Sequence, residues 1–400
     1  LQAGASGHKF LEVIVRVIIV GSGIAGLSAA IGLRKVGIDV TVYERAPELR
    51  EVGAGISLWG NALRALDYLG AGQAIRSRSL SMVRSEIRAH EGRKGLVSFS
   101  AEQLEKQIGV VPVVAMIHRA DLVGALSECL PEGIARYGFE CVSVEQTENR
   151  VSVRFANGQT DEADAVVGAD GINSAVRTAL IGSEKPRYSG YTCCRGIGPR
   201  PASISAGYMG EWWGRGKRFG IATLPHDRAY WFGVYNAPAD QHSLRNRSSL
   251  TAMFQGWADP VTEIITNASP ESLIYGDIID RPPTNTWSKG RIGLIGDAVH
   301  PTTPNLGQGG CMAIEDSVAL ARAMAINGDP AAAFAAFRAE RYTRTSTITN
   351  ESWRLGKVAQ WEGQWSCWLR DAMLGLLLPM MGSRGVSKNA SFDIGPLPAK

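Results

Sequence analysis

The six cysteines, Cys129, Cys141, Cys193, Cys194, Cys311 and Cys367, form no CxxC pair and no metal-binding spacing. A redox dithiol, a zinc module and a disulfide scaffold are therefore set aside, and free thiols in a cytoplasmic protein are expected. Charge of one sign is missing too: 42 Lys and Arg face 38 Asp and Glu, a net +4, with the basic residues dispersed. That distribution excludes a nucleic-acid footprint. The apolar stretch Phe10 to Val20 is too short to span a bilayer and is broken by Glu12 and Arg16, so it reads as a strand with a lead-in. Leu1 to Lys9 lack the charge-then-apolar order of a secretory signal and read as a tail. What remains is an ordinary globular composition in 400 residues, enough for two or three domains.

One stretch organises that chain. Val17 to Val20 is short enough for a buried strand and runs into Gly21-Ser22-Gly23-Ile24-Ala25-Gly26; Leu27, Ala30, Ile31 and Leu33 then recur at helical spacing up to Gly37. A second apolar run, Val40 to Tyr43, ends at Glu44 and Arg45. This is the strand-turn-helix fingerprint of a dinucleotide site. Gly21 makes the tight turn, Gly23 lets backbone approach a pyrophosphate at the helix N-terminus, Gly26 lets helix and strand close up, and Glu44 accepts a ribose hydroxyl proton. An acid at position 44 favours an adenosine ribose without a 2′-phosphate, hence FAD or NAD.

Further along, Arg50 and the Gly53 to Gly55 loop fall where an extended dinucleotide needs contacts, and Ala62, Leu63, Leu66 and Leu69 mark a short helix closed by Gly70. His118-Arg119-Ala120-Asp121-Leu122 opens another helix, with Arg119 at its N-terminal end. Strands are expected at Cys141 to Gln146 and Val151 to Phe155, with Asn157-Gly158 turning towards a third near Asp164 to Val167. That strand enters Gly168-Ala169-Asp170-Gly171, followed by a helix bearing Ser174 and Arg177, a plausible anion-reading loop. From Tyr188 to about Ile279, short alternating runs rich in aromatics predict antiparallel strands at 207–213, 218–224 and 228–236. Trp212, Trp213, Tyr230, Trp231 and Phe232 are candidates for a pocket wall, although strand aromatics are mostly core. Arg291 to Ile295 returns to a buried strand ending in Gly296-Asp297; a glycine-rich turn, Pro304 to Gly310, leads into a helix from Cys311 to about Met324. Helix is expected beyond Pro330. There Trp353, Trp361, Trp365 and Trp368 could dip into a membrane interface or cap a greasy tunnel, but docking on the protein's own surface is the favoured reading; Gly382 to Lys400 reads as an irregular tail.

Four segments in fixed order, GSGIAG with Glu44, HRADL, GADGINSAVR and GDAVHPTTPNLGQGG, resemble the group A flavoprotein monooxygenases, the para-hydroxybenzoate hydroxylase superfamily. The resemblance covers about residues 16 to 325. It implies an α/β architecture: a Rossmann-like FAD-binding domain (10–80, 106–185 and 280–330), an inserted antiparallel-sheet substrate domain (186–279, with a segment at 81–105), and C-terminal helices with a tail (331–400). It implies tightly but non-covalently bound FAD, with NADPH or NADH as transient donor, dioxygen and a small-molecule substrate as partners, no metal, and a monomer or homodimer. By resemblance Gly21, Gly23, Gly26 and Glu44 hold the adenosine half, and Ile24, Ala25, Arg45 and Gly55 are further cofactor-binding positions. Arg119 follows the ribityl and pyrophosphate portion, Asp170 and Gly171 belong to the motif associated with both FAD and the nicotinamide donor, Asp297 holds the ribityl chain, and Arg177 and Gly296 are further cofactor-binding positions. Pro304, Gly307, Gln308, Gly309 and Gly310 back the flavin ring. The implied reaction is hydroxylation of an aromatic or heteroaromatic ring through a flavin hydroperoxide, the cofactor carrying the hard chemistry.

Within the family the segments look closest to the urate hydroxylase and zeaxanthin-epoxidase-like branches. Arg218 and Tyr230 match substrate-serving positions of the first. That branch carries an acid where this chain has Asn305, and an amide cannot act as its base, so the Asn305 match keeps epoxidation of an alkene open. A flavin oxidase or dehydrogenase would share the FAD motifs without transferring oxygen.

Overall fold

Val17, Ile18, Ile19 and Val20 are apolar without alternation because both sides of their strand are covered. The computed structural model, which describes residues 16–49, 54–92, 95–381 and 388–398, puts Arg16–Val20 inside a six-stranded sheet. Across the sheet the order is Ser288–Lys289, Ile292–Leu294, Ala165–Gly168, Arg16–Val20, Asp39–Glu44 and Ala135–Tyr137, parallel except for the first pair. The helices Ile24–Lys35 and Gly309–Asn327 pack against each other closely enough that a Cβ at Gly32 would stand 2.9 Å from the Ser317 carbonyl. A discontinuous chain thus forms one Rossmann-like core.

The second large sheet has seven strands in the order Ile274–Asp280, Arg187–Pro199, Arg228–Asn236, Lys217–Leu224, Tyr208–Trp213, Arg84–Ala89 and Gly95–Ser100. It is antiparallel apart from the pairing of Tyr208–Trp213 with Arg84–Ala89. Alternation along each strand separates two faces. The outer face buries Trp212, Phe219, Trp231 and Tyr235 against the helices Arg247–Met253 and Val261–Asn267; Phe219 and Trp231 stack at 5.6 Å and 10°. The inner face carries Tyr191, Cys193, Ile197, Tyr230 and Phe232. A three-stranded sheet, Gly55–Trp59, Val114–His118 and Leu80–Ser81, joins the two halves. A Cβ at its first residue, Gly55, would stand 2.6 Å from the Tyr230 side chain.

Several expectations need correction. The third strand near Asp164 to Val167 is two: Thr160–Ala163 completes the hairpin, and Ala165–Gly168 joins the parallel sheet. Asp164 between them accepts the Arg16 backbone N–H at 2.7 Å, fixing the crossing. Gly55 opens a strand and is no loop residue; Arg50 and Gly53 lie outside the described residues. The glycine-rich turn enters its helix at Gly309, earlier than Cys311. Of the tryptophans, Trp353 does dock on the protein, with the Arg187 guanidinium 3.5 Å from its ring centroid, but Trp365 and Trp368 on the helix Gln364–Met381 are 82% and 64% exposed. Their helix keeps Cys367 and Arg370 inward, so a spacing of three puts the two rings on the other side. Among the described residues no helix is long and apolar enough to cross a membrane. The described part of the C-terminal tail is seated on the core, with Ala390 and Ile394 buried and Phe392 3.7 Å from the Arg344 guanidinium.

A buried ionic network ties these parts together. Fully buried Arg341, on the 30-residue helix Pro330–Ala359, donates to Asp316 at 2.8 Å and to Glu315, neighbours on the helix Gly309–Asn327. Asp316 also accepts the Gly296 N–H at 3.1 Å and hydrogen-bonds His300 at 2.6 Å, while Glu315 binds Arg344 and Asn61. Removing one partner strands the other charges in a low-dielectric interior. Arg341→Ala should therefore lower unfolding free energy by about 3–5 kcal/mol in a denaturant titration, and Arg341→Lys by less.

The His300 contact and the Arg341 guanidinium outweigh burial and hold the Asp316 carboxyl at about 2, below its ordinary 3.8. A depressed acid contributes stability that is complete above its unfolded pKa and vanishes as pH falls through the folded one. Between about pH 4 and pH 2, Asp316 should remove roughly 2 kcal/mol, and Asp316→Asn should flatten that part of a stability-against-pH curve.

Candidate active site

The fingerprint turn is packed to its limit. Gly21 has φ +106°, and a Cβ there would lie 2.5 Å from the Ala169 carbonyl; a Cβ at Gly26 would lie 1.8 Å from the Gly21 carbonyl. Gly23 is the opposite case, with open space where a side chain would project. That space is a cleft of about 390 Å³ walled by Gly21, Gly23, Ile24, Ala25, Glu44, Arg45, Arg119, Asp170, Gly171, Asp297, Gly309 and Gly310. Its outer lobe, about 480 Å³, shares Gly23, Glu44, Arg45 and Arg119. Glu44 anchors the turn at the rim, its carboxylate accepting from the Ser22 N–H at 2.9 Å, the Ser22 hydroxyl at 3.2 Å and the Ala46 N–H at 2.9 Å.

Two helices point their N-termini into this cleft without a capping side chain, Ile24–Lys35 behind Gly23 and Gly309–Asn327 behind Gln308. Ser100, His118, Ser174, Asn246 and Asp329 cap their helices, whereas Gly60–Leu69, Gly72–Arg76 and Val261–Asn267 are uncapped as well but their starts do not line the cleft. Uncapped N–H groups and the positive end of each dipole are thus left for an anionic or electron-rich ligand. Arg119 projects from the capped start of the helix Arg119–Glu128. Asp170 accepts the Ala175 N–H with one carboxylate oxygen at 2.7 Å, while the other is buried and unpartnered. Burial pushes the Asp170 carboxyl up. Asp297 lines the cleft with its side chain exposed, and the protein mass around it raises its carboxyl, against the opposing pull of His300 and Arg119.

Other anticipated residues serve the cleft from behind. Buried Arg177 donates to the carbonyls of Ala298 and Val299 at 3.2 and 3.3 Å and pairs with Glu184, so it holds the Asp297 turn and does not line the cleft. Gly296 (φ +57°) admits Ala25 at 2.9 Å from a would-be Cβ; Gly307 (φ +62°) follows the turn Pro304–Leu306 and fits against Ser57 and Trp59. The Gln308 side chain accepts from Asn61 at 3.0 Å, joining the buried network. Gly55 adjoins Tyr230 rather than the cleft.

On the sheet side, Arg218, Tyr230 and Asn305 meet around the inner face. Arg218 is 3% exposed and donates to Asn305 Oδ1 at 2.7 Å and Gln360 Oε1 at 3.1 Å, with Glu211 at 3.6 Å. The Asn305 amide nitrogen donates to the Tyr191 hydroxyl, the Thr303 hydroxyl and the Ser352 carbonyl, each at 2.9 Å. The pair braces turn, sheet and C-terminal helix, and the Arg218 charge is met by Glu211. Burial pushes the Tyr230 phenol well above its usual range, so its proton stays on.

A family profile described as FAD binding domain matches residues 14–351. The chain belongs to the group A flavin monooxygenases. It is 35% identical to aurachin C monooxygenase/isomerase of Stigmatella aurantiaca over 90% of this chain and 94% of that protein. It is 36% identical to a FAD-dependent urate hydroxylase of Mycolicibacterium vanbaalenii over 84% and 86%. The crystal structure of Klebsiella pneumoniae HpxO with FAD and uric acid superposes with a TM-score of 0.89 at 28% identity, covering 95% of this chain and 98% of that one.

This monooxygenase is an oxidoreductase, and its cleft fits FAD: an open cradle at Gly23, two uncapped helix starts, and an orphaned oxygen on Asp170. Sequence reading missed Ile56, Phe139 and Cys141 in the cleft wall, because sheet pairing and loop return, not a motif, bring them there, and it passed over Tyr43 and Asn173 inside the quoted segments. It also missed Arg195 on the inner face. Its place two residues from Cys193 and Ile197, on the same face of the strand Arg187–Pro199, was the available signal. Gly26→Ala should force the helix off the turn; we expect purified protein with markedly less flavin absorbance per chain and a lower thermal midpoint.

Proposed function

We propose that this monooxygenase hydroxylates an aromatic or heteroaromatic small molecule: NADPH or NADH, a proton and dioxygen are consumed, one oxygen atom entering the ring and the other leaving as water. The observation that carries this reading is a junction. Ile56 lines the cleft beside Gly309 and Gly310, and its neighbour Gly55 lies against Tyr230. One residue step therefore separates the cofactor cleft from the aromatic inner face of the large sheet. In this reading residues 186–279 and 81–105 form the substrate wall and the remaining segments hold cofactor; the strands Arg84–Ala89 and Gly95–Ser100 lie in that wall's sheet, which supports the division.

Bound FAD supplies hydride acceptance and activation of dioxygen. The chain's own groups do the rest. The uncapped start of the helix Gly309–Asn327 favours negative charge at the ring end of the cleft. Ile197, Met209 and Phe232, with Tyr230, keep water from the space above it, which matters because water would divert activated oxygen to peroxide. The protonated Tyr230 hydroxyl offers a hydrogen bond that orients the substrate ring. A cytoplasmic setting, where NAD(P)H is available and thiols stay reduced, suits the six free cysteines.

The test is a screen of phenols, quinolones and polyenes for accelerated NAD(P)H consumption under ¹⁸O₂, with mass spectrometry of the products. Label in a phenolic product is the expected outcome, whereas label in an epoxide would transfer the reading to alkenes. Consumption matched by hydrogen peroxide, with no labelled product from any compound, would make the protein an oxidase.

A further inference from the structure

Arg195 stands in the middle of the strand Arg187–Pro199, and alternation turns it to the inner face with Cys193 and Ile197. Register sets it opposite Phe232 on one neighbouring strand and Ile274 on the other. Its Nε is sealed from solvent and has no hydrogen-bond partner, and Nη2 lies over side-chain-free Gly276, 3.6 Å from where a Cβ would stand. Its guanidinium lies close enough to the Tyr230 hydroxyl to oppose the upward push of burial on that phenol. Among the described residues no carboxylate pairs with it. Arg218, the inner-face arginine that the sequence pointed to, is in contrast committed to Asn305, Gln360 and Glu211.

A guanidinium does not discard its proton, so a half-buried, uncompensated one keeps both its charge and its unused donors. Such a cation in an aromatic wall is disfavoured unless an anion arrives to meet it. The arrangement matches one kind of visitor. The planar fork can donate to an anionic oxygen, the Tyr230 hydroxyl can add a bond to the same group, and Phe232 beside them offers a flat apolar surface to the ring that bears it.

We propose that Arg195 and Tyr230 form the anion-recognising subsite of the substrate chamber, and that the substrate class is a planar ring carrying an anionic oxygen, either a ring carboxylate or an ionised ring oxygen. This rests on the reading of the inner face as the substrate wall. Recognition passes to Arg195, and Arg218 is left as a brace.

Matched probe pairs test it on the FAD-loaded enzyme: salicylate against salicylamide for the carboxylate source, and urate against xanthine, at a pH between their first ionisations, for the ring-oxygen source. Binding is read from the perturbation of flavin absorbance. Wild type should bind at least one anion about tenfold or more tightly than its neutral partner. Arg195→Gln should abolish that preference by weakening the anion about tenfold or more while moving the neutral probe by less than about threefold. Arg195→Lys, which restores charge without the fork, should recover part of it. Equal losses for both members of a pair, an unchanged anion preference in Arg195→Gln, or no response to either anion would overturn the subsite. Should Arg195→Gln lose its FAD, the anion-to-neutral ratio of Arg195→Lys decides, a ratio equal to wild type overturning the proposal. Arg195-dependent binding of an anion with no ¹⁸O transfer would instead remove the monooxygenase reading and leave the subsite standing.

Discussion

Arg341 is the residue on which the separate parts of this molecule converge. Fully buried, it bridges Glu315 and Asp316, and through them reaches the Gly296 N–H, His300, Asn61 and the Gln308 side chain. Those contacts position both glycine-rich segments that frame the inner end of the cleft, the Gly296-Asp297 turn and the start of the helix Gly309–Asn327. Buried ions are costly to desolvate, and this cluster is compensated only when all members are in place. The constraint therefore acts on geometry as much as on stability, because the cleft has its shape only with the C-terminal helix docked.

A second constraint is the division of labour between helix starts. At some helices a side chain such as Ser100, Ser174 or Asp329 satisfies the first N–H groups, while Gly60–Leu69, Gly72–Arg76 and Val261–Asn267 start without one. At Gly23 and Gln308 no side chain does, and these two starts open on the cleft. Even Asp170, which caps the helix Ala175–Ile181 with one oxygen, leaves its other oxygen unpartnered. The site consists largely of backbone groups left unsatisfied on purpose-built turns. Its side chains, such as Arg177 and Gln308, mostly hold those turns from the rear.

Strand alternation separates core from function in the large sheet. Trp231 and Tyr230 are neighbours in sequence, yet one stacks on Phe219 in the outer core and the other faces Gly55 and the cofactor side. Alternation also puts Arg195 inward, beside Tyr230, in a layer where Arg218 is already consumed by its neighbours.

The sequence by itself determined the cofactor half. The GSGIAG turn, Glu44, Arg119, Asp170 and Asp297 were legible because each lies where a strand meets a turn or a helix start, and the chemistry of backbone N–H groups at such a junction is local. Only the tertiary structure decided which of the polar residues are free to act. Arg177 and Gly55 sit in or beside recognisable motifs, but partners far along the chain, Ala298 and Val299 for one and Tyr230 for the other, make them supports. Arg218 and Asn305 satisfy each other across 87 residues, while Arg195 keeps its capacity because among the described residues no acid pairs with it. Whether a charge is spent or available depends on what packs against it, and that is a property of the folded chain.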